Sequence, residues 1–200
     1  QMEMQACRSP EFWDYAAPVL RQEFGGDGPG WSADSFHRRS ARVEPGLIRV
    51  DADEVCYPAH VILRWRLEKA MLDGSLAVAD LPEAWGEGMR RLLDLDVPDD
   101  RDGCLQDIHW YDGAFGYFPT YTLGAVAAAQ LHRQAVADDP GIPAAIGRGD
   151  FTPLLGWLRP NVHGKGASLD LDGLMEQVTG TPLSVRPFLD HLATRYGAGL

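Results

Sequence analysis

The stretch LIRVDADEVCYPAHVILRWRLEKAML, residues 47–72, is the longest periodic segment of the chain and decides its fold class. Val55, Ala59, Ile62, Leu63, Leu67 and Ala70 recur at helical spacing, which predicts a helix with one buried apolar stripe. On the other side Asp53, Tyr57, His60 and Arg64 stand at steps of four, three and four and share a face. A carboxylate, a phenol, an imidazole and a guanidinium in one row, preceded by Glu44 and Arg49, have the chemistry to recognise a charged substrate end, because arginine forks onto carboxylates. The same row also fits a solvated helix face carrying ion pairs. Pro58 predicts a kink, unless the helix begins beside it.

Working outward, the pattern stays helical. Residues 1–24 are helix formers interrupted by RSP, where Ser9 is placed to cap a new helix and Pro10 to occupy its first position. Helical patterning restarts at Ser32–Phe36. It runs from a cap-like Asp80 through Pro82 to about Leu95, over an alanine-rich 120–138, and over 142–148, 150–160, 170–178 and 185–196. The exception is GCLQDIHWYDGAFGYFPTY, residues 103–121, glycine-punctuated and aromatic with weak alternation, which predicts short strands or irregular chain. The fold class expected is therefore mainly α, with a small β element near residues 103–120.

That exceptional stretch is also a candidate pocket wall. Gln106, Asp107, His109 and Trp110 crowd hydrogen-bonding groups beside Tyr111, Phe115, Tyr117 and Tyr121. His109 has the chemistry of a general acid or base, a ligand, or a donor to a developing oxyanion, and equally of a partly buried histidine held by a carboxylate.

Composition bounds the alternatives. At 45% hydrophobic, 200 residues can bury a sizeable core, so one domain or at most two small ones is expected. A net charge of −11 argues against a phosphate-binding surface, hence no nucleic-acid partner. Cys7, Cys56 and Cys104 fit neither a disulfide framework nor a CxxC knuckle, and a reducing cytoplasm is the natural compartment. No apolar run approaches the ~18 residues of a membrane helix. HExxH, HxxE and paired cysteines are missing, and His37, His132, His163 and His191 have no partner at ligand spacing. HGKGAS, residues 163–168, lacks the P-loop spacing.

EMQACRSPEFW, the 48–85 segment IRVDADEVCYPAHVILRWRLEKAMLDGSLAVADLPEAW, and GCLQDIHWYDGAFGYFPTYTLGAVAAAQL together resemble the carboxypeptidase Taq family of metallocarboxypeptidases, over nearly the whole chain. The resemblance implies a single domain, residues 1–200, forming the C-terminal part of a larger helical, cleft-forming catalytic domain. It implies a cytoplasmic homodimer that removes residues one at a time from peptide C termini. It also implies zinc or cobalt in the complete enzyme, held by HExxH and a downstream glutamate. This chain starts after both motifs, so it is expected to bind no metal by itself and to be inactive alone.

Position by position, the resemblance places the following residues in the family's motifs, and their side-chain chemistry makes His109, Tyr117 and Tyr121 the candidate catalytic groups. Arg49, Asp53, Glu54, Tyr57, His60, Gln106, Asp107 and Trp110 are the candidate substrate-binding groups, with Arg49 gripping the substrate carboxylate. Truncation of a cleft protein exposes apolar surface, which predicts self-association or a partner carrying the missing half. Two alternatives remain: a non-catalytic paralogue serving as a peptide-binding or oligomerisation module, and an unrelated hydrolase using Asp107 and His109 with a serine or Cys104, which no nucleophile-elbow pattern supports.

Overall fold

A computed structural model describes residues 2–197. Among the described residues nine α-helices run in order: α1 Pro10–Phe24, α2 Ala33–Ser40, α3 Tyr57–Leu72, α4 Leu81–Leu93, α5 Pro119–Asp138, α6 Ile142–Ile146, α7 Thr152–Asn161, α8 Leu171–Thr179 and α9 Arg186–Tyr196. Two compact units are formed, one from the chain up to Arg42 together with the chain from Ala125 onward, the other from Val43 to Gly124.

In the first unit the helix starts follow local chemistry. The Ser9 hydroxyl accepts the Phe12 N–H at 3.2 Å and Pro10 opens α1, where its missing N–H has no intrahelical role. Ser32 caps α2 and Asp170 caps α8 in the same way. Trp13 donates its indole N–H to Ser40 Oγ and stacks on Phe36 at 5.2 Å, which fixes α1 against α2. Ala6, Ala135, Ile142, Ile146, Leu154 and Leu158 form one core. The buried Gln130 on α5 accepts the Ser184 N–H and donates to Thr179 Oγ1 and to the Pro182 carbonyl, holding the turn between α8 and α9.

The second unit is built on α3 and α4. Its core is Cys56, Leu63, Leu67, Leu81, Trp85, Met89, Leu93 and Cys104. A Cβ at Gly88 would lie 2.1 Å from Leu63 Cδ1, so glycine is what lets the two helices close on each other. The predicted Leu47–Leu72 helix proves shorter. It begins at Tyr57, after a single turn of 3₁₀-helix at Arg49–Asp51, so Pro58 falls in the first turn and kinks nothing. Nor does Asp80 cap α4 with its side chain.

The predicted β element near 103–120 is not there: among the described residues no strand occurs. Several of its N–H groups make turn bonds within five residues, Leu105 to the Asp100 carbonyl, Asp112 to that of Ile108 and Ala114 to that of His109, while that of Gly116 goes to the Glu68 carboxylate. Gly113 and Gly116 adopt left-handed φ of 73° and 79°, which breaks any extended run. The segment is a succession of turns.

Candidate functional site

The side chains expected from the sequence to line a site all lie within the second unit, on α3, on the turn before it, on the 103–118 turns and at the start of α5. Asp53 precedes α3 rather than riding on it. Its Oδ1 accepts the N–H groups of Val55 and Cys56, both at 2.9 Å, and its Oδ2 accepts that of Glu44 at 2.8 Å, so it caps the approach to the helix. Burial pushes the Cys56 thiol up to about 12, helped by the Asp53 carboxylate, which keeps it protonated. Glu54 is buried.

The centre of the arrangement is Asp107 between two arginines. Arg49 donates from Nη2 to Asp107 Oδ1 at 2.6 Å and from Nε to the same oxygen at 3.1 Å, while Arg64 donates from Nε to Oδ2 at 2.6 Å. Arg64 is fully buried and Arg49 is 5% exposed. Gln106 completes the frame: its Oε1 accepts the Arg49 backbone N–H at 2.9 Å and Arg64 Nη2 at 2.7 Å, and its Nε2 donates to the carbonyls of Leu47 and Asp102. All four hydrogen-bonding positions of that amide are therefore occupied within the chain. Gln106 and Asp107 sit behind Arg49 as its supports.

Arg49 Nη1 donates to the Tyr57 hydroxyl at 2.6 Å, and its guanidinium carbon lies 4.9 Å from the ring centre of Tyr121. The Arg64 guanidinium lies 4.5 Å from that of Trp85. Aromatic faces thus cover the cations where carboxylate does not.

Titration follows from this packing. Burial works against the charge on Arg49, but the hydrogen bond and charge of Asp107 more than offset it, and its pKa rises. Arg64 is lowered to about 10, chiefly by burial, and remains a cation at neutral pH. Burial raises Asp107 less than Arg49 and Arg64 lower it, so its carboxyl is held below the ordinary carboxylate value. His60 has no exposed surface, and burial, then the nearby Arg64, lower it to about 4. It is therefore neutral beside the pair. The hydrogen-bonded cluster carries two guanidinium charges against one carboxylate.

His109 and Tyr121 form a second pair, with Nε2 2.9 Å from the phenolic oxygen. The other ring nitrogen of His109 is buried 3.9 Å from Asp107 Oδ1, beyond hydrogen-bond reach. Its ring centre lies 4.3 Å from that of the buried Phe118. Tyr117 is half exposed, with its ring 5.7 Å from that of His109. Trp110 points the other way, donating its indole N–H to Glu68 Oε2 at 2.8 Å.

Two contributors escape the sequence reading. Arg64 stands in the predicted row but not among the candidate site groups, and Glu68 is in neither, although His60, Arg64 and Glu68 continue the row at steps of four. Among the described residues no group of three or more histidine, cysteine, aspartate or glutamate side chains converges as a metal ion requires, so this donor set does not fit a metal.

The family described as carboxypeptidase Taq (M32) metallopeptidase matches residues 1–196, and the chain belongs to that family. It is 44% identical over 191 residues to thermostable carboxypeptidase 1 of Thermus thermophilus, covering 96% of this chain and 37% of that protein. Among solved structures, Trypanosoma cruzi metallocarboxypeptidase 1 superposes with a TM-score of 0.93 at 41% identity, over 98% of this chain and 41% of that one. The M32 carboxypeptidase from Deinococcus radiodurans R1 gives 0.94 at 41% identity, over 98% and 40%. The chain thus spans about two fifths of the length of the relatives it matches. Homologues of this chain are metallocarboxypeptidases, and no helix among the described residues is long and apolar enough to cross a membrane.

Proposed function

We propose that this chain is the C-terminal part of a metallocarboxypeptidase domain and supplies the half of the cleft that grips the C terminus of a peptide. The observation that carries the reading is the Arg49–Asp107–Arg64 cluster, in which one carboxylate serves two buried guanidinium groups. An excess of positive charge held rigidly beside Tyr57 and Tyr121 favours an incoming carboxylate, and Arg49 retains a second N–H on each terminal nitrogen to offer it. Asp107 and Gln106 orient Arg49. His109 and Tyr121 share a hydrogen bond whose proton can be redirected toward a carbonyl oxygen that gains charge during hydrolysis, and Tyr117 closes over the same edge.

A zinc or cobalt ion in the complete enzyme would supply Lewis-acid chemistry toward the scissile carbonyl and a water of lowered pKa. Its ligands are supplied by residues outside these 200, and the chain by itself is inactive. Peptide C termini as substrate, a homodimeric cytoplasmic enzyme and one continuous catalytic domain complete the proposal.

Titration calorimetry with an N-blocked dipeptide, compared with its C-terminal amide, tests the reading on this chain alone. A charge-assisted hydrogen bond contributes about 1.5–3 kcal/mol, so the free carboxylate should bind at least about tenfold tighter than the amide. Arg49→Lys, which keeps the charge but loses the fork, should remove most of that preference. Equal affinity for acid and amide would reject the reading.

A further inference from the structure

We infer that Glu68 is a positioning residue that sets the place of His109 and Tyr117 by clamping the turn between them, an inference that rests on the cleft reading above. Glu68 is 3% exposed, on the face of α3 that carries His60 and Arg64. Its two carboxylate oxygens go to two different points of the 103–118 segment: Oε2 accepts the Trp110 indole N–H at 2.8 Å and Oε1 accepts the Gly116 backbone N–H at 2.5 Å. Trp110 directly follows His109, and Gly116 directly precedes Tyr117. One carboxylate thus fixes both ends of the 110–116 turn immediately inside the two candidate site residues.

The surrounding geometry makes the clamp specific. Gly116 is left-handed, with φ 79°, so its N–H points where a β-strand residue's would not, and a carboxylate rather than a main-chain carbonyl receives it. The Trp110 ring packs edge-on against Trp85 at 6.3 Å and Phe118 at 5.8 Å, so the anchor is built into the core rather than lying on the surface. The turn outside the clamp exposes Tyr111 and Phe115 and has little apolar burial of its own to keep it in place. Removing one N–H acceptor from a buried charged group is therefore felt along the whole turn.

The test uses the 200-residue chain and two variants. In Glu68→Gln one oxygen becomes an NH₂ that faces an N–H donor. In Trp110→Phe the carboxylate and its Gly116 bond stay, while the indole bond and part of the ring packing against Trp85 and Phe118 are lost, which gives a second variant if the first fails to fold. The readouts are amide hydrogen exchange over 110–117 and the ¹⁵N signal of His109 Nε2, which reports its contact with Tyr121. Both variants should exchange about tenfold to a hundredfold faster than wild type over 110–117, with a shifted Nε2 signal. Unchanged exchange and an unchanged Nε2 signal in a folded variant would overturn the inference. The dipeptide arm separates the two ideas. If wild type binds no dipeptide, the cleft reading is what fails, and the Nε2 signal still decides whether Glu68 sets His109. If wild type and both variants bind equally well, the cleft reading stands on Arg49, and the exchange and Nε2 readouts decide the positioning role.

Discussion

Replacing Asp107 by Asn keeps the side-chain volume and removes the charge that two arginines share. The amide offers one acceptor oxygen where Asp107 takes Arg49 at 2.6 and 3.1 Å and Arg64 at 2.6 Å, and its NH₂ group faces a guanidinium N–H. Arg64, with no exposed surface, cannot recover the loss from water. Breaking a buried pair in this way costs about 3–5 kcal/mol. That is a large share of the roughly 5–15 kcal/mol that holds a domain folded. In urea unfolding followed by tryptophan fluorescence, with a slope of about 2 kcal/mol/M, the midpoint of Asp107→Asn should fall by roughly 1.5–2.5 M. Asp112→Asn, at an exposed neighbour, should stay within about 0.5 kcal/mol of wild type.

The same comparison has a pH signature. The folded pKa of Asp107 is depressed, so its contribution is present above the ordinary carboxylate pKa and is lost as pH falls through the lower folded value. The gap between wild type and Asp107→Asn should therefore persist down to the ordinary carboxylate range and close only below it. A variant as stable as wild type at pH 7 would refute the claim that this cluster is a buried, mutually dependent unit.

Two further outcomes follow from the same unit. His60 is lowered from 6.5 to about 4, so between those values the unfolded chain binds a proton the folded one does not, and stability falls as pH falls through that window. Its share approaches ~3 kcal/mol at the acid end, and His60→Asn should flatten the stability-versus-pH slope measured by chemical denaturation; an unchanged slope would count against a buried neutral imidazole. Gly88→Ala places a methyl 2.1 Å from Leu63 Cδ1 between α3 and α4 and should cost about 1–3 kcal/mol by thermal melting, whereas a neutral result would mean that the two helices can separate freely.

Helix content was legible in the sequence because it rests on local signals. Ser9 with Pro10, Ser32 and Asp170 each begin a helix where their side chains predict one. What resisted was that α3 is buried on its polar row as well. Leu63 and Leu67 of the predicted stripe are buried and Ile62 of it is 39% exposed, while His60 and Arg64, on the polar row, have no exposed surface. The burial of the row has a distant cause: Asp107 lies 43 residues from Arg64 and neutralises a guanidinium that hydropathy alone would place in water. Glu68 was hidden for the same reason, with partners 42 and 48 residues away. Residues 103–121 were recognisable as unusual from their glycines and aromatics, but periodicity cannot distinguish a short strand from a chain of turns. The candidate site was visible as two separate motifs, at 49–64 and 103–121. Their union through Asp107 and Gln106 belongs to the three-dimensional structure.

The most direct measurement is a carboxypeptidase assay of this chain with Zn²⁺ or Co²⁺, alone and mixed with a polypeptide carrying the HExxH segment of a family member. The proposed function predicts release of C-terminal residues only in the mixture, and a large loss of that activity when Arg49 is replaced by Lys. Activity of the chain alone, or a mixture indifferent to Arg49→Lys, would contradict it.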